Sequence, residues 1–237
     1  MPRPILEICV DDPQGLAVAC ANGAERIELC AALAVGGLTP APGLIALARD
    51  CGVPCHAMIR PRPGGFVYTP DELRAMQADI AAVQAAGLPG IVTGVSLPDG
   101  QLDRDAMARL RDASNGQATV HRAFDLAPDP FAALNMLVDL GFDRILTSGG
   151  AATAVAGADR IAALVQAAGG RIEIMPGGAV DTAAVPLLLP LGVDALHASC
   201  ARMQPEPHHL APLNLPPQRA MTDGSAVAAL ARAMAQS

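Results

Sequence analysis

The sequence predicts an α/β fold, a single-domain (β/α)8 TIM barrel, on three observations. Short β-rich runs alternate with helical segments along the chain, and such alternation implies parallel strands joined by right-handed crossovers. One local pattern recurs as Gly23-Ala-Glu-Arg-Ile27, Gly141-Phe-Asp-Arg-Ile145 and Gly192-Val-Asp-Ala-Leu196, with Gly87-Leu-Pro-Gly-Ile91 as a variant. In each, a glycine ends a helix and a short link enters a strand, ahead of the second, fourth, sixth and eighth strands. No linker splits the 237 residues. An open, doubly wound sheet is the alternative that the same alternation allows.

The elements follow in order. Strands are expected at 6–9, 26–29, 55–59, 91–93, 119–121, 144–147, 172–175 and 195–197. Asp12-Pro13 and Asp129-Pro130 each set a side-chain cap before a proline at the first helical position. Thr69-Pro-Asp-Glu72 is a capping box, and it opens a helix that carries Leu73, Met76, Ile80 and Val83 on one face and ends before Gly87. The stretch 203–219 holds five prolines and reads as an irregular loop leading to a last helix at 225–235. Residues 1–200 then form the barrel core, and 201–237 complete the same domain.

Composition narrows the function. A formal net charge of −7 without a basic stripe argues against nucleic acid as a partner. All sixteen basic residues are arginine. With no lysine there is no Schiff-base amine, which excludes imine aldolase chemistry and pyridoxal phosphate. The N-terminus runs directly into a strand without a signal-peptide core, and no apolar stretch reaches membrane-spanning length. The six cysteines form no C-x-x-C pair. These features lead us to expect a cytoplasmic protein with reduced thiols and no membrane contact.

Side chains alternate along strands, so the apolar set must face the helices and the remainder the barrel axis. That rule points Glu7, Cys9, Glu28, Cys30, His56, Met58, Arg60, Thr119, His121, Glu173, Met175, His197 and Ser199 inward. Ionisable groups on an axis need partners, so they form either a self-satisfied network, above all at Glu7 and Glu173, or a site at the C-terminal rim. Two chemistries remain open. In the first, an enzyme for a small anionic metabolite, a phosphate or a carboxylate, uses His121 or His197 as general acid/base, with Glu28 or Asp125 orienting it and Arg60 and Arg62 clamping the anion. The glycine-bearing loops Ser148-Gly149-Gly150 and Gly177-Gly178 would cradle that anion. In the second, Cys9 and Cys30 from neighbouring strands bind Cu(I), with Met58 and Met175 also facing in. Cys51 and Cys55 read as structural, and the surface pair His208-His209 as a weak metal ligand at most.

The strings Glu25-Arg-Ile-Glu-Leu-Cys30, Gly36-Gly-Leu-Thr-Pro40, Met58-Ile-Arg-Pro-Arg62, His121-Arg-Ala-Phe-Asp125, Phe142-Asp-Arg-Ile-Leu-Thr-Ser-Gly-Gly150 and Met175-Pro-Gly-Gly178 resemble the CutC family. The resemblance runs in order as far as His197-Ala-Ser199. It implies a TIM barrel, a cytoplasmic location, a homo-oligomer (dimer or tetramer), and a copper-homeostasis role with Cys9 and Cys30 as the Cu(I) ligands. The chain departs from the family pattern where Arg60-Pro-Arg-Pro-Gly-Gly-Phe66 lacks the usual acidic residue, at Ala179 in place of a third glycine, and in the proline-rich stretch after Ser199.

Overall fold

The recurring link before alternate strands has a hydrogen-bonding purpose. In the computed structural model, which describes residues 3–213 and 216–236, its acidic residue reaches back to the first residues of the preceding strand. Glu25 accepts from the Leu6 amide at 3.2 Å, Asp143 from Ala118 at 2.7 Å and Asp194 from Ile174 at 2.8 Å. The backbone amide of each acid donates in return to the carbonyl of the same residue it caps. Each link thus staples two neighbouring strands at their N-terminal ends, where the ladder would otherwise leave donors free. Pro89 carries no such carboxylate.

Eight parallel strands result: β1 (Ile5–Val10), β2 (Arg26–Leu29), β3 (Cys55–Met58), β4 (Gly90–Thr93), β5 (Gln117–Val120), β6 (Arg144–Thr147), β7 (Glu173–Pro176) and β8 (Ala195–Ala198). Their order is β7-β6-β5-β4-β3-β2-β1-β8, and a parallel bridge between Gly177 and His197 closes the seam from β7 to β8. The open-sheet alternative is therefore excluded. Helices α1 (Pro13–Ala21), α2 (Pro42–Arg49), α3 (Pro70–Ala85), α4 (Arg104–Ala113), α5 (Pro130–Asp139), α6 (Ala158–Ala168) and the short α7 (Val185–Leu188) join the strands. The capping sequences act as read: the Asp12 carboxylate accepts from Gly15, Asp129 from Phe131 and Ala132, and Thr69 with Glu72 forms the full box.

The main apolar core lies between strands and helices. It takes Leu6, Ile8 and Val10 from β1, Ile27 and Leu29 from β2, and Met76, Ile80 and Val83 from α3. The stretch after β8 is more ordered than a loop. Here β9 (Ala201–Pro205) and β10 (Gln218–Thr222) pair antiparallel as a hairpin, which corrects the irregular reading of 203–219. The prolines fall where they cost no ladder bond, at the end of β9 and between the two strands. Asp223 then caps α8 (Gly224–Ala235), which packs against α1, α7 and β1. No helix of the described residues is long and apolar enough to cross a membrane.

The inward side chains form two tiers. Towards the N-terminal ends of the strands, Glu7 accepts from Arg26 Nε at 2.5 Å, and Glu173 accepts from Arg144 Nε at 2.5 Å. Arg144 also donates to Thr119 at 2.9 Å and lies 3.4 Å from His56 Nδ1. Glu7 and Glu173 thus belong to a self-satisfied network, the first of the two readings left open for them. Its cations, Arg26 and Arg144, went unnamed in the sequence reading, although each lies on the inner face by simple alternation from Glu28 and Leu146.

Candidate metal centre

The upper tier is set by strand register. On one side β1 places Glu7 beside His197 of β8, and on the other it places Cys9 beside Glu28 of β2. Residues paired across parallel strands share a face, so these four side chains converge on the axis. Cys9 Sγ, a Glu28 carboxylate oxygen and a ring nitrogen of His197 all lie within 4.8 Å of one another. Glu7 Oε1 sits 2.7 Å from His197 Nδ1, which fixes the ring and turns Nε2 towards Glu28 Oε2 at 3.8 Å. Cys9 Sγ rests 3.8 Å from the Ala198 carbonyl. Glu28 Oε1 is buried without a hydrogen-bond partner among the described residues, an orphaned acceptor on a residue of this cluster.

Cys30 lies one step aside. Its thiol donates to Glu28 Oε2 at 3.6 Å, and it packs with Met58, Val92 and Leu33. The two-cysteine arrangement read from the sequence thus becomes Cys9 with His197 and Glu28, and Cys30 backs the carboxylate. Residues that the sequence divided between an acid/base pair and a copper pair meet in one place. Beside Cys9 opens a cavity of about 570 Å³, lined also by Asp11, Leu33, Ser199 and, from the hairpin, Met203 and Met221.

The electrostatics follow from burial and pairing. Burial pushes the Glu7 carboxyl up, but the His197 hydrogen bond with the charges of Arg26 and His197 outweighs it and holds Glu7 ionised, well below the carboxylate range. Burial pulls His197 down, yet the neighbouring Glu28 and Cys9 win and raise it well above the usual value. Glu28 is raised, by burial first and then by the charge of Glu7, with His197 opposing. Burial and Glu28 hold the Cys30 thiol far above its ordinary value. A thiol, an imidazole and a carboxylate at this separation are a donor set for a soft to borderline metal ion, which must displace the Cys9 and His197 protons to bind.

The remaining candidates lie elsewhere. His121 and Asp125 follow β5, four strands round the barrel from β1 and three from β8. Arg60 donates to the carbonyls of Val35 and Gly37, each at 2.9 Å, and of Gly64 at 2.8 Å, and it covers the Phe66 ring at 5.2 Å. Arg62 pairs with Glu72 and donates to the carbonyls of Pro63, Gly65 and Val67. Both guanidinium groups thus tie the loop after β3 together. In the turn at 148–150, the amides of Ser148 and Gly150 donate to Asp125, as do Ser148 Oγ and Thr147 Oγ1. An internal carboxylate occupies the cradle that the sequence offered to an anion, and Gly149 turns beside it at φ 69°. Arg122 closes that group, with Nε 2.8 Å from Asp125 and Nη2 2.8 Å from Ser148 Oγ. Gly178 packs below Arg122, and Gly177 lies against the His197 ring. Ala179 holds φ at 54°, a left-handed conformation that favours glycine. The side chain of His208 lies outside the described residues.

His121 is buried and packs against Phe66, the rings tilted by 42° with centroids 4.6 Å apart. Its Nδ1 accepts from the Ala123 amide at 3.1 Å, so the neutral ring carries its proton on Nε2, which has no partner among the described residues. Gly94 makes room for it, since a Cβ there would meet His121 Cε1 at 2.6 Å. Burial, then the Arg60 charge, lowers His121 to about 3, and burial lowers His56 to about 4. Both rings bind protons more weakly folded than unfolded, so stability is full above the unfolded histidine range and falls as pH drops towards the folded values. From about pH 7 to about pH 4.5 each ring is expected to remove about 2 kcal/mol of stability. Urea unfolding across that interval measures the loss, and His121→Asn, which keeps the cap acceptor, should flatten it; an unchanged slope would refute the assignment.

Comparison with known proteins fixes the family. The sequence profile described as the CutC family matches residues 4–202. The chain belongs to the CutC family. It is 50% identical over 207 residues to a CutC family protein of Rhizobium meliloti, covering 86% of this chain and 84% of that one. To a CutC family protein of Caulobacter vibrioides it is 45% identical over 238 residues, covering 98% and 97%. The solved CutC structure from Streptococcus agalactiae, whose name refers to copper homeostasis, superposes with a TM-score of 0.78 at 35% identity, covering 82% of this chain and 98% of that one. KGPDC from Streptococcus mutans, with a TM-score of 0.62 at 12% identity, shares the barrel alone.

Proposed function

We propose that this CutC family member binds Cu(I) as its cargo at the mouth of the barrel, in the cytoplasm and as a homo-oligomer. Cys9 and His197 act as the principal ligands, Glu28 neutralises charge beside them, and Cys30 backs the Glu28 carboxylate. The observation that carries this reading is the convergence of Cys9, Glu28 and His197 within 4.8 Å beside an open cavity. The copper-homeostasis name of the solved Streptococcus agalactiae relative supports it. An enzyme acting on a small anionic ligand draws less support, because Arg62, the 148–150 turn and both terminal nitrogens of Arg60 direct donors to atoms of the chain itself.

Competition against a Cu(I) chelator tests the proposal. Cys9→Ser should weaken Cu(I) by about 100-fold or more, beyond the 10–100-fold that loss of an outer-shell partner costs. Cys30→Ser should weaken it less. Because His197 and Cys9 must lose protons, affinity should rise with pH. A Cys9→Ser/Cys30→Ser chain that held Cu(I) as firmly as the unaltered protein would end the proposal.

A further inference from the structure

Three of the six cysteines stand apart from the metal centre, at the opposite end of the barrel. Cys51 follows α2, and Cys55 opens β3 at its N-terminal end. Only Gly52, Val53 and Pro54 separate them. Gly52 turns the chain at φ 81°, a conformation that favours glycine. Both ends of the link are tied: the Cys51 amide donates to Ala48, and the Pro54 carbonyl accepts from Ile27 at 2.9 Å. This short tethered link brings Cys51 Sγ and Cys55 Sγ to 3.5 Å. Both thiols face one acceptor, the Val53 carbonyl, each at 3.3 Å. Their exposure differs. Cys55 is 1% exposed within the core, whereas Cys51 is only partly buried.

We infer that Cys51 and Cys55 are a thiol-redox pair that closes to a disulfide by exchange with a low-molecular-weight disulfide. The accessible Cys51 sulfur, as thiolate, attacks one sulfur of the small disulfide, forming a mixed disulfide and expelling one small thiolate, which takes up the proton that Cys51 gave up. Cys55 then attacks the Cys51 sulfur, its proton passing to the second small thiolate as that group leaves. Two protein thiols lose two electrons and two protons, and the small disulfide gains both to become two thiols. The order of events follows the burial: the half-buried Cys51 sulfur meets the reagent and the core sulfur resolves it. Cys55 is held protonated by burial and then by Cys51, and the second restraint ends once Cys51 is capped. Cys20, near the end of α1, is pushed up to about 12 by burial and by Cys51, so it stands by as a protonated thiol.

The test uses the full chain, oxidised glutathione as the small disulfide, and alkylation of the remaining thiols before trypsin digestion. Trypsin spares the Arg60-Pro61 and Arg62-Pro63 bonds, so Cys51 and Cys55 stay in one peptide spanning 50–74, without another cysteine. We expect that peptide to be lighter by two hydrogen atoms, to carry no alkyl group, and to recover both alkylation sites after reduction. Cys55→Ser should stop at glutathione on Cys51, while Cys20→Ser and Cys9→Ser/Cys30→Ser should still close the bond. The native peptide alkylated on both cysteines after glutathione treatment would overturn the inference, as would a bond from Cys51 to Cys20. The native readout requires no variant to fold and is independent of Cu(I) binding.

Discussion

Replacing Glu7 by Ala is expected to lower the unfolding free energy by about 3–5 kcal/mol, the cost of removing one partner from a buried ion pair. Glu7 is fully buried and serves two cations at once, with Oε2 on Arg26 Nε and Oε1 on His197 Nδ1. Without it, Arg26 is left with Met175 Sδ at 3.2 Å and with Glu173, 3.9 Å away and shared with Arg144. His197 then keeps Glu28, at 3.8 Å, and Cys9 beside it but loses the acceptor that orients its ring. Glu7→Gln keeps one acceptor and should cost less. The midpoint of urea unfolding reports the stability, and a loss below about 1 kcal/mol would mean that the network does not hold the barrel shut. Because Glu7 orients the His197 ring, Cu(I) affinity should also fall by about 10–100-fold in whatever Glu7→Ala protein folds.

The second large effect lies in backbone packing. Gly157 precedes α6, and a Cβ on it would stand 1.9 Å from the Ser148 carbonyl oxygen and 3.0 Å from Gly149 Cα. The contact is reciprocal, since a Cβ on Gly149 would meet the Gly157 carbonyl at 2.5 Å. Neither side can give way, because the turn at 148–150 is pinned by its hydrogen bonds to Asp125. Gly157→Ala should therefore destabilise by about 3 kcal/mol or more, at the upper end of overpacking costs. The control is Gly43→Ala in α2, where a Cβ meets no atom within 4 Å and helix propensity predicts a gain of about 0.5–1 kcal/mol. Equal midpoints for the two variants would show that the clash is relieved elsewhere.

Several features of the site were legible before the structure. Alternation placed Glu7, Cys9, Glu28 and Cys30 on one face, because a strand's period of two is a local property. The partnerships were not legible. Nothing local to Cys9 marks His197, 188 positions later in the sequence, as its neighbour; that meeting needs β8 to return beside β1. The same closure set His121 three strands round the barrel from Glu28, which separated residues the sequence had grouped. Arg26 and Arg144 escaped notice because an arginine at the start of a strand reads as exposed unless a carboxylate is known to await it inside. The hairpin at β9 and β10 was hidden by its prolines, which suppress a strand reading wherever the edge they occupy is unknown.

By itself the sequence determined the barrel, the capped helix starts, most of the inward set of side chains and the family, since each is written in local period, capping chemistry or motif. Only the tertiary structure decided which inward groups meet: Cys9 with Glu28 and His197, Glu7 with Arg26, Asp125 within its own turn, and Cys51 against Cys55. The physical reason is that pairing across a closed sheet depends on register and shear, which arise when all eight strands pack together and which no single segment encodes.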